Sequence, residues 1–148
     1  MEGLLYYQTM ICEMTQMECA NASLLDEGSA ASEAMYMSYN AHNGKKNKFF
    51  IDKHTFPQTI SVVKTRADAL NIELVIDDVM NHDWNIEKDV CGVLLQNPND
   101  IGTCHNYSDV ISKIHTNGAK AIIAADLMSL ALVKSPGEMG ADIALGKD

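Results

Sequence analysis

The chain has 148 residues, with 11 Lys and Arg against 20 Asp and Glu for a formal charge of −9. That length holds one domain with a sizeable core, and the acidic balance excludes a phosphate-backbone binder, which needs a basic face. At 47% hydrophobic and 21% charged the composition is globular rather than disordered, and no apolar run is long enough to cross a bilayer.

In chain order, Leu4, Tyr7, Ile11 and Met14 step by three and four, with Met10 and Met17 beside them, and predict an amphipathic helix. The small-residue stretch from Gly28 to Ala34 opens a second helix running towards Tyr39. The basic knot Lys45-Lys46-Asn47-Lys48 reads as a turn into a short buried strand, Phe49-Phe50-Ile51. Pro57 suits the first turn of a helix with Ile60, Val63, Ala67 and Leu70 on one face. Leu74-Val75-Ile76 is the next strand, ending at Asp77-Asp78.

A polar link through Asn81-His82-Asp83-Trp84 leads to the strand Val93-Leu94-Leu95, closed by Asn97-Pro98-Asn99-Asp100. Tyr107, Val110, Ile111 and Ile114 mark a further helix that stops at Asn117-Gly118. Ala121–Ala125 is apolar throughout, as expected of a strand buried on both faces of a parallel sheet. After a Pro136-Gly137 turn comes a last strand, Asp142 to Leu145. Strands alternating with helices and no hairpin signal predict an α/β fold with a mostly parallel sheet flanked by helices. The chain stops soon after a strand, with no closing helix. We therefore expect residues 1–148 to be a single partial domain, with some neighbours of strand 121–125 lying outside it.

Two places carry candidate chemistry. Gly28-Ser29-Ala30, at a helix start, would leave backbone N–H groups free for an anion, with the Ser29 hydroxyl adding a donor. The same residues also suit a helix cap at Asp26 or Ser29, or close helix packing. Asp126 follows an apolar strand, where open α/β sheets bind ligands, and could hold a protonated ring nitrogen; it would equally cap whatever follows. Cys12, Cys19, Cys91 and Cys104 form no C-x-x-C pair, and Cys104-His105 reads as a loop. Unpaired thiols suit a reducing compartment. His42, His54, His82 and His115 are scattered, so no metal centre is expected.

Several segments resemble the P-protein family of the glycine cleavage system. They are Gln8 to Glu13, Ala20 to Met35 with its Asn-Ala-Ser-Leu-Leu-Asp-Glu-Gly run, Pro57-Gln58-Thr59-Ile60 with Lys64-Thr65-Arg66-Ala67, and Pro136 to Gly146. The resemblance covers essentially the whole chain and implies the large domain of the PLP-dependent, aspartate-aminotransferase-like fold (fold type I). Family proteins are several times longer and have two related halves; this chain resembles part of the amino-terminal half. The implied activity is PLP-dependent decarboxylation of glycine, with the aminomethyl group passed to the lipoyl group of H-protein.

By the same resemblance, Gly28-Ser29-Ala30 would match the phosphate cup and Asp126 the ring-nitrogen carboxylate. Phe56 stands where relatives carry a histidine and could stack on a ring. The Schiff-base lysine would fall at position 150, so no internal aldimine is expected on Lys147 or Lys134. An acidic Asp26-Glu27 pair repels a phosphate, which points to the half without the aldimine, lining the seam between halves. Implied partners are the catalytic half, lipoylated H-protein and glycine, in a homodimer or heterotetramer, with no nucleic acid and no membrane. The implied location is the mitochondrial matrix in a eukaryote and the cytoplasm in a bacterium.

Overall fold

The computed structural model describes residues 2–20, 24, 26–84 and 88–147. Five strands, β1 (Lys48–Asp52), β2 (Glu73–Asp77), β3 (Val90–Asn97), β4 (Lys120–Asp126) and β5 (Ile143–Lys147), form one sheet. Every neighbouring pair is parallel, in the order β2-β1-β3-β4-β5. The helices are α1 (Glu2–Thr15), α2 (Glu27–Ala41), α3 (Pro57–Leu70), α4 (Ser108–Thr116) and a single turn, α5 (Pro136–Met139). A 3-10 turn, Leu127–Ala131, follows β4.

Parallel neighbours cannot be joined by a tight turn, so each pair needs a crossover, and crossovers are right-handed. The chain passes from β1 through α3 to β2 on one side, then returns to build β3, α4 and β4 on the other. Reversing the direction of growth puts α3 and α4 on opposite faces. Two core layers result. Ala31, Ala34 and Met35 of α2 and Val63 and Ala67 of α3 pack on Phe49, Ile51, Leu94, Ile122 and Ala124. Val110, Ile111 and Ile114 of α4 pack on Phe50, Val93, Leu95, Ala121 and Ile123. With both faces covered, β3 is buried along its whole length, and Val90–Leu95 reads as a continuous apolar run.

Local chemistry explains the element ends. Pro57 lies in the first turn of α3, and Asn71 closes that helix in the left-handed region, its N–H donating to the carbonyls of Ala67 and Asp68. Between Lys48 and Phe49 the β1–β3 register shifts, and Gly92 follows the bulge. A Cβ on Gly92 would press on Ser38 Oγ and the Phe49 ring, so this glycine lets α2 lie close to the sheet.

The structure differs from the sequence expectations in three respects. Strand β4 has both its neighbours, β3 and β5, within the chain, because β5 returns alongside it. The free edges among the described residues belong to β2 and β5. The inner side of α1 is carried by Tyr7, Ile11, Cys12 and Thr15, whereas Met10 and Met14 are exposed; the Leu4 side chain lies outside the described part. Finally, Pro136-Gly137 opens the helical turn α5, capped by the Ser135 hydroxyl, which accepts from Glu138 N.

Open strand edges invite pairing with another chain. Leu74 and Val75 of β2 are half-buried and Ile76 is exposed beside one edge. We predict that residues 1–148 expressed alone associate as concentration rises in sedimentation velocity. A monomer at all concentrations, with a sharp reversible thermal transition, would contradict this.

Candidate functional site

Ligands of open α/β sheets bind beyond the carboxyl ends of the strands, where strand order reverses. Here that point lies between β1 and β3. All five residues singled out from sequence stand along this carboxyl edge, on the α2 and α3 side. Gly28, Ser29 and Ala30 form the first turn of α2, Phe56 is the N-cap residue of α3, and Asp126 ends β4. Asp126 points to the α2 side by alternation, since Ile122 and Ala124 of the same strand pack there. One strand, β3, separates the end of β1, next to Phe56, from Asp126. Asn21, Ala22, Ser23 and Leu25 of the quoted run lie outside the described residues, as does the side chain of Lys147.

The start of α2 answers which of the open readings applies there. Asp26 is the N-cap, and its Oδ1 accepts from Ser29 N at 2.7 Å. The Ser29 hydroxyl bonds the same carboxyl, and together these bonds hold Asp26 below the usual carboxylate range. Gly28 is packed on α3, where a Cβ would touch the Val62 side chain. Glu27 adds a second carboxyl in the first turn.

Gly28, Ser29 and Ala30 thus stand in a turn that carries two carboxyl groups, those of Asp26 and Glu27. Asp26 meets the N-terminal end of the α2 dipole with its own carboxylate, through the Ser29 N–H.

Phe56 makes no side-chain cap hydrogen bond and is half-buried. Asp126 is exposed; its Oδ1 accepts from Met128 N at 3.0 Å, and its carbonyl accepts from Ser129 Oγ at 2.7 Å. It thus caps the 3-10 turn while presenting its charge at the carboxyl edge. Beneath it, buried Gln96 donates from Nε2 to the Ala124 carbonyl at 3.3 Å, and its Oε1 has no partner.

On the opposite side of the same edge lies a cleft of about 270 Å³ that the sequence reading missed. It is lined by Asp52, the last residue of β1, with His54, Asp78, His105 and Tyr107. Asp52 is only 3% exposed, and its Oδ1 accepts one long bond from Val79 N, 3.4 Å. Burial raises its pKa above the usual carboxylate value, although the Val79 N–H and nearby His54 pull the other way. The cleft is held open by two clasped loops. Asp100 N donates to the His54 carbonyl at 2.9 Å, and His54 Nδ1 lies 3.1 Å from Asp100 Oδ1. Asn97 braces the far end of its loop, accepting from His105 N and donating to the His105 carbonyl, both at 3.1 Å. The signal was present in the sequence: Ile51-Asp52 is a strand followed by a carboxylate, the pattern that drew attention to Asp126.

Three comparisons with known proteins bear on this arrangement. The family model described as "Glycine cleavage system P-protein" matches residues 1–148. A mitochondrial glycine dehydrogenase (decarboxylating) of Flaveria anomala is 47% identical over 146 residues, 99% of this chain and 14% of the relative. A glycine dehydrogenase (decarboxylating) of Synechocystis is also 47% identical, over 99% of this chain and 15% of its own length. The chain thus spans about one seventh of these relatives. Among solved structures, glycine decarboxylase (P-protein) in inhibitor-bound form superposes with a TM-score of 0.90 at 28% identity, covering 99% of this chain and 34% of that one. A broad specificity aminotransferase from Leishmania mexicana, at 11% identity and a TM-score of 0.65, covers 95% of this chain and 42% of its own, and shares the fold. The fold is that of the PLP-dependent fold type I enzymes.

The raised pKa of Asp52 makes a signed prediction. The unfolded chain releases this proton at a lower pH than the folded one, so between the two values the folded state binds more protons and loses stability as pH rises. Asp52→Asn removes the titration and can still accept from Val79 N. Its melting temperature relative to the parent should therefore rise between about pH 4 and pH 7. A difference that is flat or falls with pH would contradict the burial of an ionising carboxyl here.

Proposed function

The chain belongs to the glycine cleavage system P-protein family, and we propose that it is a partial domain of the non-aldimine half of a glycine-decarboxylating enzyme. The whole protein would remove the carboxylate of glycine as CO₂ and pass the aminomethyl group to the lipoyl arm of H-protein. PLP, held by the other half, would act as the electron sink. The single observation carrying this reading is the match of the family model along all of residues 1–148. Assignment to the non-aldimine half is supported by the Asp26 carboxylate, which occupies the turn where a phosphate would bind.

In this reading the chain's own residues provide a scaffold rather than proton transfer. Asp26 closes the start of α2, and the sheet presents Phe56 and the charge of Asp126 along the carboxyl edge, towards the catalytic half. No step of the chemistry is assigned to Gly28, Ser29 or Ala30. Further partners would be glycine and lipoylated H-protein, within a homodimer or a heterotetramer. The location would be the mitochondrial matrix in a eukaryote and the cytoplasm in a bacterium.

Two measurements on the full-length polypeptide test this. After PLP loading and borohydride reduction, the pyridoxyl label should fall outside residues 1–148, while the protein releases CO₂ from glycine in the presence of lipoylated H-protein. Stoichiometric label on a peptide containing Lys134 or Lys147, or a folded, PLP-loaded protein inert towards glycine, would overturn it. Asp126→Asn provides a second test, because asparagine caps about as well as aspartate and the helical turn should survive. Turnover or assembly of the two halves should fall with melting unchanged; unaltered turnover and assembly would leave Asp126 a cap alone.

A further inference from the structure

The cleft on the α4 side lies across the sheet edge from Gly28-Ser29-Ala30, Phe56 and Asp126. Alternation along β1 places Phe50 and Asp52 on that side, whereas the starts of α2 and α3 lie on the other. The cleft therefore does not depend on the function proposed above.

Its electrostatics are lopsided. Asp52 forms no ion pair among the described residues, and the cations nearest to it face other carboxylates. Lys53 Nζ lies 3.6 Å from Asp78 Oδ2, and His54 Nδ1 lies 3.1 Å from Asp100 Oδ1. Three carboxyl groups, those of Asp52, Asp78 and Asp100, thus gather around Lys53 and the imidazoles of His54 and His105. A buried carboxylate without a counter-charge is costly and calls for a cation or a proton. Towards solvent the lining turns apolar, with Met80 and Ile101, 47% and 71% exposed, at the mouth. No cluster of three or more metal-ligating side chains occurs among the described residues, so a single buried carboxylate under an apolar rim suits an organic cation better than a metal ion.

We propose that this cleft binds a small primary ammonium compound, its –NH₃⁺ donating to the Asp52 carboxylate and its carbon chain lying against Met80 and Ile101. An ammonium group brings three donors and one positive charge, and Asp52 has lone pairs left after its long bond to Val79 N. The volume of about 270 Å³ falls below the usual range for drug-sized ligands and suits a molecule of a few carbons.

The test uses the full-length protein and three probes of equal size: n-propylammonium, 1-propanol and propionate, titrated by calorimetry or ligand-observed NMR at pH 7.5. Propylammonium should saturate and bind at least tenfold more tightly than the other two. Asp52→Asn should weaken it at least tenfold. Ile101→Arg, at an exposed position where folding is undisturbed, should weaken it at least fivefold by placing a competing guanidinium at the mouth. Equal binding of the three probes, no saturation by propylammonium, or an affinity unchanged by Ile101→Arg would overturn the proposal. The probe series and the Ile101 variant decide the matter even if Asp52→Asn fails to fold.

Discussion

Because strand order reverses between β1 and β3, the carboxyl edge of this sheet has two chemically separate sides. Right-handed crossovers fix which helix covers which face, and alternation along each strand then fixes which side each terminal residue serves. Asp52 and Asn97 fall to the α4 side, whereas Gln96 and Asp126 fall to the α2 side. The two carboxylates, one buried without a counter-ion and one exposed and capping a turn, differ because of that partition.

On the α2 side a single short hydrogen bond decides what the edge can do. The first turn of a helix has N–H groups to offer, and an anion of either origin can take them. In this chain Asp26 takes one of them, the Ser29 N–H, from within. The turn is thus capped from within, and Gly28 serves the packing of α2 on Val62.

Much of the fold was legible because the physical signals are local. The apolar runs at Val93–Leu95 and Ala121–Ala125 announce doubly covered strands, and Pro57 and Asn117-Gly118 announce helix ends. Strand order is not a local property. Some neighbours of β4 were expected outside the chain because nothing in Ala121–Ala125 says that β5 returns beside it. The Asp26 cap was among the open alternatives, and it is the one seen at the start of α2. The Asp52 cleft went unread for a different reason: its walls come from the separate loops after β1, β2 and β3, far apart in sequence, and only the sheet brings them together.

The central claim is that the turn at Asp26–Ser29 is closed by the chain's own carboxylate. A crystal structure of the full-length protein saturated with PLP tests it most directly. The account predicts Asp26 Oδ1 on Ser29 N, with no phosphate at that turn. Density for a PLP phosphate on Ser29 N, with the Asp26 side chain swung away, would contradict it.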